Sequence, residues 1–135
     1  MAYADGFLIP VPKKNLGAYK EISEKAGGIW MEHGALDYKE CVGDDLLVEG
    51  MTATFPGTLN LKKGEVVVFS WILYKDRAHR DRVNKKVMAD PRVAIPPKCP
   101  FDPARMHYGG FETLVDARTM KKKPARKAAK KAKKR

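Results

Sequence analysis

The amino-acid sequence predicts an α+β domain in which four strands and two helices alternate as β-α-β-β-α-β. Three observations carry that expectation. Residues 65–74 (EVVVFSWILY) are rich in β-branched and aromatic side chains and apolar on both faces, as a central strand must be. Residues 16–33 and 77–90 place apolar side chains at helical spacing. The other apolar stretches alternate with polar residues and end at glycine or proline.

The elements follow in order. Residues 3–10 (YADGFLIP) alternate loosely and run into prolines, which predicts the first strand. In residues 16–33, Leu16, Tyr19, Ile22, Ala26, Ile29, Trp30 and His33 fall within about 140° of helical arc, one buried stripe. Gly27 and Gly28 weaken that helix by about 1 kcal/mol each relative to alanine, and Gly34 supplies a left-handed stop. Residues 36–42 (LDYKECV) read as a half-exposed strand. Residues 43–63 are broken by Gly50, Pro56 and Gly57 and predict irregular chain with one short strand near Leu59. Asp76 is placed to cap the second helix and Pro91 to stop it. Five of the nine prolines fall between Pro91 and Pro103, a non-repetitive loop. Residues 106–115 (MHYGGFETLV) form the last strand, with Gly109 and Gly110 marking a bulge or a close backbone approach.

This order is the split βαβ arrangement of ferredoxin-like folds. Right-handed crossovers then give the sheet order 4-1-3-2, antiparallel throughout. The third strand is apolar on both sides, with Val67, Phe69, Trp71 and Leu73 on one and Val66, Val68, Ile72 and Tyr74 on the other. Helices cover one side. The other predicts a twofold dimer that packs sheet on sheet into an α/β barrel.

Charge divides the chain. Of 27 Lys and Arg residues ten lie after residue 119, where there is no acid, so residues 1–119 carry 17 basic against 16 acidic side chains. We therefore expect one nearly neutral domain over residues 1–119 and a disordered basic tail over residues 120–135. A basic face built into the fold is excluded. The longest apolar run is nine residues, far short of the roughly 20 that span a bilayer. The first residues carry no positive charge of the kind that opens a secretory signal. Two cysteines, Cys41 and Cys99, are too few for a disulfide framework, and a cytoplasmic setting is expected.

Several segments together resemble the YbaA-like bacterial family. They are Tyr3–Phe7, Trp30 with His33–Leu36, Phe69–Ile72, Ala78–Asp81, Val87–Arg92, Pro100–Asp102 and Met106 with Tyr108–Phe111. The resemblance runs in order over about residues 2–117, apart from a shorter loop at residues 95–100 and the added lysine tail. It implies a dimeric α/β-barrel subunit, related in fold to antibiotic-biosynthesis monooxygenases and haem-degrading oxygenases. It implies no activity, because the family is a domain of unknown function.

The topology itself points to a site. The first helix ends and the second begins at one end of the sheet, so Trp30, His33, Tyr38, Tyr74, His79 and Arg80 are expected to converge there, with Tyr3 and Asp5 as neighbours. The inward stripe of the second helix, His79, Val83 and Val87 flanked by Arg80 and Asn84, is thin in apolar residues and suits a polar cleft. His79 is the candidate acid or base and Arg80 the candidate anion clamp. Trp30, His33, Tyr38, Trp71, Tyr74 and Asn84 are the candidate ligand-binding residues. Each has a structural reading too: His33 in the last turn of its helix suits the terminal carbonyls, and the aromatics suit the core. No histidine spacing suggests a metal, and no cofactor motif occurs. The expected function is binding of a small organic molecule, with cofactor-independent oxygenase or isomerase chemistry as the catalytic form. One alternative is non-specific nucleic-acid binding through Lys121, Lys122, Lys123, Arg126, Lys127, Lys130, Lys131, Lys133, Lys134 and Arg135. The other is a non-catalytic binding module whose cleft is filled by its own side chains.

Overall fold

The computed structural model describes residues 1–93 and 98–120; part of the proline-rich loop and the basic run from residue 121 onward, with the tail expectation that falls on it, lie outside the described residues. The elements are β1 (Tyr3–Pro12), α1 (Leu16–Glu32), β2 (Asp37–Val42), α2 (Phe55–Thr58), β3 (Glu65–Tyr74), α3 (Arg77–Met88) and β4 (His107–Glu112). The strands form one antiparallel sheet in the order β2-β3-β1-β4, the ferredoxin-like arrangement. β3 lies at its centre with β1, as its two apolar faces require.

Strand alternation decides what each face carries. In β1 the residues Tyr3, Asp5, Ile9 and Val11 are buried, opposite Tyr74, Ile72, Val68 and Val66 of β3. This face lies under α1 and α3, whose Ile29, Val83 and Val87 complete the core beside Tyr3, Ile72 and Tyr74. On the opposite face Phe69 meets Trp71 edge-on at 5.5 Å. Phe69 is 44% exposed there and Phe111 63%.

Local signals explain the boundaries. Gly34 adopts φ +112°, and the amide of Ala35 returns to the Trp30 carbonyl to close α1. The Asp76 side chain accepts from the His79 amide at 2.8 Å, capping α3. The short strand expected near Leu59 is instead the single turn α2. Thr54 caps it by accepting from the Gly57 amide, and Pro56 sits in its first turn, where a missing N–H costs nothing. Element ends shift: β1 runs on to Pro12, α1 and β2 are each one residue shorter than expected, α3 stops at Met88, before Pro91, and β4 at Glu112, opposite the first residue of β1.

Candidate functional site

At the sheet end where β1 starts and β3 finishes, part of the expected constellation does assemble, and its centre is Asp5. This carboxylate is 1% exposed. Arg80, from the first turns of α3, donates to Asp5 Oδ1 at 3.0 Å and to Tyr108 Oη at 2.7 Å, and lies over the Tyr3 ring at 4.9 Å. Asn84, one turn further on, reaches Asp5 Oδ2 at 3.4 Å. Its own Oδ1 accepts from Trp30 Nε1 and from Tyr74 Oη, each at 3.1 Å. Asp81 Oδ1 neutralises Arg80 at 2.9 Å from Nε, but off the N–H direction, so that N–H makes no hydrogen bond. Trp30, Tyr74, Arg80 and Asn84 thus come together by satisfying one another and Asp5. Burial and then the Asp5 charge push the Tyr74 hydroxyl well above the usual phenol range and raise that of Tyr108, so both stay neutral, Tyr74 as a donor to Asn84 and Tyr108 as an acceptor from Arg80.

The remaining candidates go elsewhere. His33 Nε2 pairs with Asp90 at 2.8 Å, and Arg92 holds the same carboxylate and Glu32, so this cluster ties the end of α1 to the end of α3. Arg92 first, and His33 second, hold the Asp90 carboxyl far below the usual carboxylate range. His79 accepts from the Lys75 amide at 2.9 Å through Nδ1 and meets the Tyr74 ring edge-on. Trp71 lies on the opposite face from Tyr74, because neighbouring odd and even residues of β3 point apart. His107 opens β4 opposite Leu8, away from His33 and His79. Among the described residues no group of three His, Cys, Asp or Glu side chains could hold a metal ion.

Tyr38 turns toward a second cluster, which the sequence reading did not single out. A cleft of about 720 Å³ opens between α1 and the β2 edge of the sheet. Its walls are largely apolar, from Leu16, Gly28, Met31, Val42 and Val68; Lys20 and Glu24 stand at its rim, and Tyr19, Tyr38 and Glu40 meet at one place on it. There Tyr19 Oη donates to Glu40 Oε1 at 2.7 Å and Tyr38 Oη donates to Glu40 Oε2 at 2.8 Å. Burial, reinforced by the Glu40 charge, raises both phenols far above their ordinary range. Gly27 is required beneath this cluster, since a Cβ there would lie 2.8 Å from the Tyr38 ring. The signal was present in the sequence. Tyr38 and Glu40 are two apart in a strand and so share a face, and Tyr19 belongs to the buried stripe of α1.

A ferredoxin-like α+β domain with an open cleft between its first helix and β2 is the class that fold and geometry define. Residues 2–103 match the family described as "Protein of unknown function (DUF1428)", and the chain belongs to that family. It is 41% identical over 117 residues to the "Uncharacterized protein YbaA" of Escherichia coli (strain K12), covering 86% of this chain and 99% of that one. The protein of the same name from Shigella flexneri matches to the same extent. Among solved structures, an uncharacterised NIPSNAP domain protein from Burkholderia xenovorans superposes with a TM-score of 0.43 at 16% identity, over 90% of this chain and 100% of that one. The de novo designed protein Foldit4 also gives 0.43, at 8% identity, over 84% of this chain and 99% of its own.

Proposed function

We propose that the protein binds a small organic molecule in the cleft between α1 and β2, and that two copies pair through their open sheet faces. The observation that supports the binding reading is the cleft itself. About 720 Å³ is the size that holds a drug-sized molecule, and apolar walls with a few convergent polar groups are the usual composition of such sites. The constellation around Asp5 is the weaker candidate, because all its polar groups but the Arg80 Nε–H are bound to one another, and no cavity is described there. His79 and Arg80 lie outside the described lining of the cleft, so the reading is one of binding, without an assigned reaction.

The test is a titration of isotope-labelled full-length protein with a fragment library, followed by NMR. Hits are expected to move amide resonances of α1 and β2, Gly28 and Val42 among them. Hits that map only around Asp5 and Arg80, or no hits at millimolar concentration, would refute the assignment.

A second reading rests on a separate observation, the ten cations and no acid in residues 121–135. Such a run attracts nucleic acid without sequence preference and with strong dependence on salt. Full-length protein is expected to retard random-sequence DNA at low salt, and a chain ending at Thr119 is not. Binding that ignores salt, or survives the truncation, overturns it.

A further inference from the structure

The hydrogen atoms at the base of the cleft are already assigned. A phenol has one O–H, and those of Tyr19 and Tyr38 both point at Glu40. What Glu40 and its two tyrosines offer an incoming molecule is therefore lone pairs: the second acceptor position on each carboxylate oxygen, and those of the two phenols. Among the described residues no Lys, Arg or His forms an ion pair with Glu40, whereas Asp5, Glu65 and Asp90 each have an arginine. The cation on the lining, Lys20, faces Glu24 across 3.8 Å at the exposed rim.

We infer that the molecule bound in this cleft is an apolar body carrying a protonated amine, whose ammonium seats on Glu40 as the counter-ion that none of the described residues supplies. The inference rests on the binding reading given above and specifies its ligand. A carboxylate or phosphate ligand would meet a negative charge with its surrounding donors turned away. A pure hydrocarbon would cover half-buried carboxylate lone pairs without replacing the water they lose. An ammonium satisfies both the charge and the lone pairs through charge-assisted hydrogen bonds, while its carbon skeleton lies along Met31, Val42 and Val68.

The probes are a matched set on one aromatic body: naphthylmethylamine, naphthylmethanol and naphthoate, titrated calorimetrically into the full-length protein and into Glu40→Gln. The amine is expected to bind the unaltered protein about tenfold more tightly than the alcohol, and the naphthoate most weakly. Glu40→Gln should bring the amine down to the level of the alcohol and leave the alcohol within about twofold, since the glutamine carbonyl still accepts from a tyrosine. Amine and alcohol binding equally, naphthoate binding best, or an amine preference that survives in Glu40→Gln would overturn the inference while leaving a cleft that binds apolar bodies. If none of the three binds, this inference and the binding reading fall together. Should Glu40→Gln fail to fold, the ranking of the three probes on the unaltered protein decides.

Discussion

The carboxylate of Asp5 and the guanidinium of Arg80 are 75 residues apart in sequence and form a pair whose side chains are 1% and 13% exposed. A pair this dry is costly to break from one side, because the guanidinium keeps its burial and loses its buried partner, with only the exposed Asp81 left beside it. Asp5→Ala should therefore destabilise the protein by about 3–5 kcal/mol, read from the urea midpoint, with Asp5→Asn less damaging because its oxygen can still accept from Arg80. An Asp5→Ala protein as stable as the parent would show that Arg80 finds water instead. The sequence reading placed Asp5 only as a neighbour of the site. Alternation puts it on the face of Tyr3 and Ile9, but its importance depends on Arg80 and Asn84 arriving above it from α3. The tyrosines at Glu40 make a second expectation. Burial and the Glu40 charge raise the folded pKa of Tyr19 and Tyr38, so the folded chain keeps protons that the unfolded chain releases from about pH 10 upward. Their contribution is complete below that pH and declines as pH rises past it, by up to about 1.4 kcal/mol per pH unit for each phenol. Phenolate absorbance from these two rings should thus appear together with unfolding. Tyr38→Phe should make the alkaline loss of stability shallower, and an unchanged slope would show that Tyr38 ionises freely in the fold.

Within α1 the adjacent glycines separate local propensity from tertiary packing. Judged by propensity, Gly27 and Gly28 weaken the helix equally. In the fold a Cβ at Gly28 meets nothing within 4 Å, whereas at Gly27 it would stand 2.8 Å from the Tyr38 ring, which is itself tied to Glu40. Gly28→Ala should raise stability by up to about 1 kcal/mol, and Gly27→Ala should lower it by about 1–3 kcal/mol despite the better helix former. Matched denaturant curves with unchanged slope check both, and equal effects at the two positions would remove the packing role of Gly27. The same contrast explains what could be read in advance at this scale. β3 was legible to the residue, because seven β-branched or aromatic side chains among its ten residues, between a glycine and the Asp76 cap, leave no competing reading. Residues 43–63 were not. A short strand was expected near Leu59, whereas Thr54 and Pro56 form the cap and first turn of α2, and Leu59, just after it, is buried. The cleft went unread for a related reason. It lies between α1 and β2, and depends on how far the helix stands off the strand, which periodicity does not encode.

At the scale of the whole molecule, the open face of the sheet is what the ferredoxin-like topology leaves unfinished. Helices α1 and α3 cover one side of β3 and β1, and on the other Phe69, Trp71 and Phe111 face outward. The Phe111 ring lies over Gly6, where a Cβ would come within 3.2 Å of it, so a side chain there would displace the ring. A pairing through this face would have to bury the roughly 1,200–2,000 Å² in total that specific protein interfaces do. In solution the protein is therefore expected at twice its 15.1 kDa chain mass by light scattering. Phe69→Asp, at the middle of β3, should shift it to the single-chain mass, because an interface between copies would bury that charge twice without a partner. Val42→Asp tests the geometry from the other side. Val42 is 46% exposed but lines the cleft on the helical face, so its substitution should leave the mass unchanged and weaken ligand binding instead. The two variants exchange effects only if pairing occurs across the β2 edge. An unaltered protein that is monomeric at high concentration would reject the pairing outright. The cleft would not fall with it, since its lining comes from α1, β2 and β3 of a single chain.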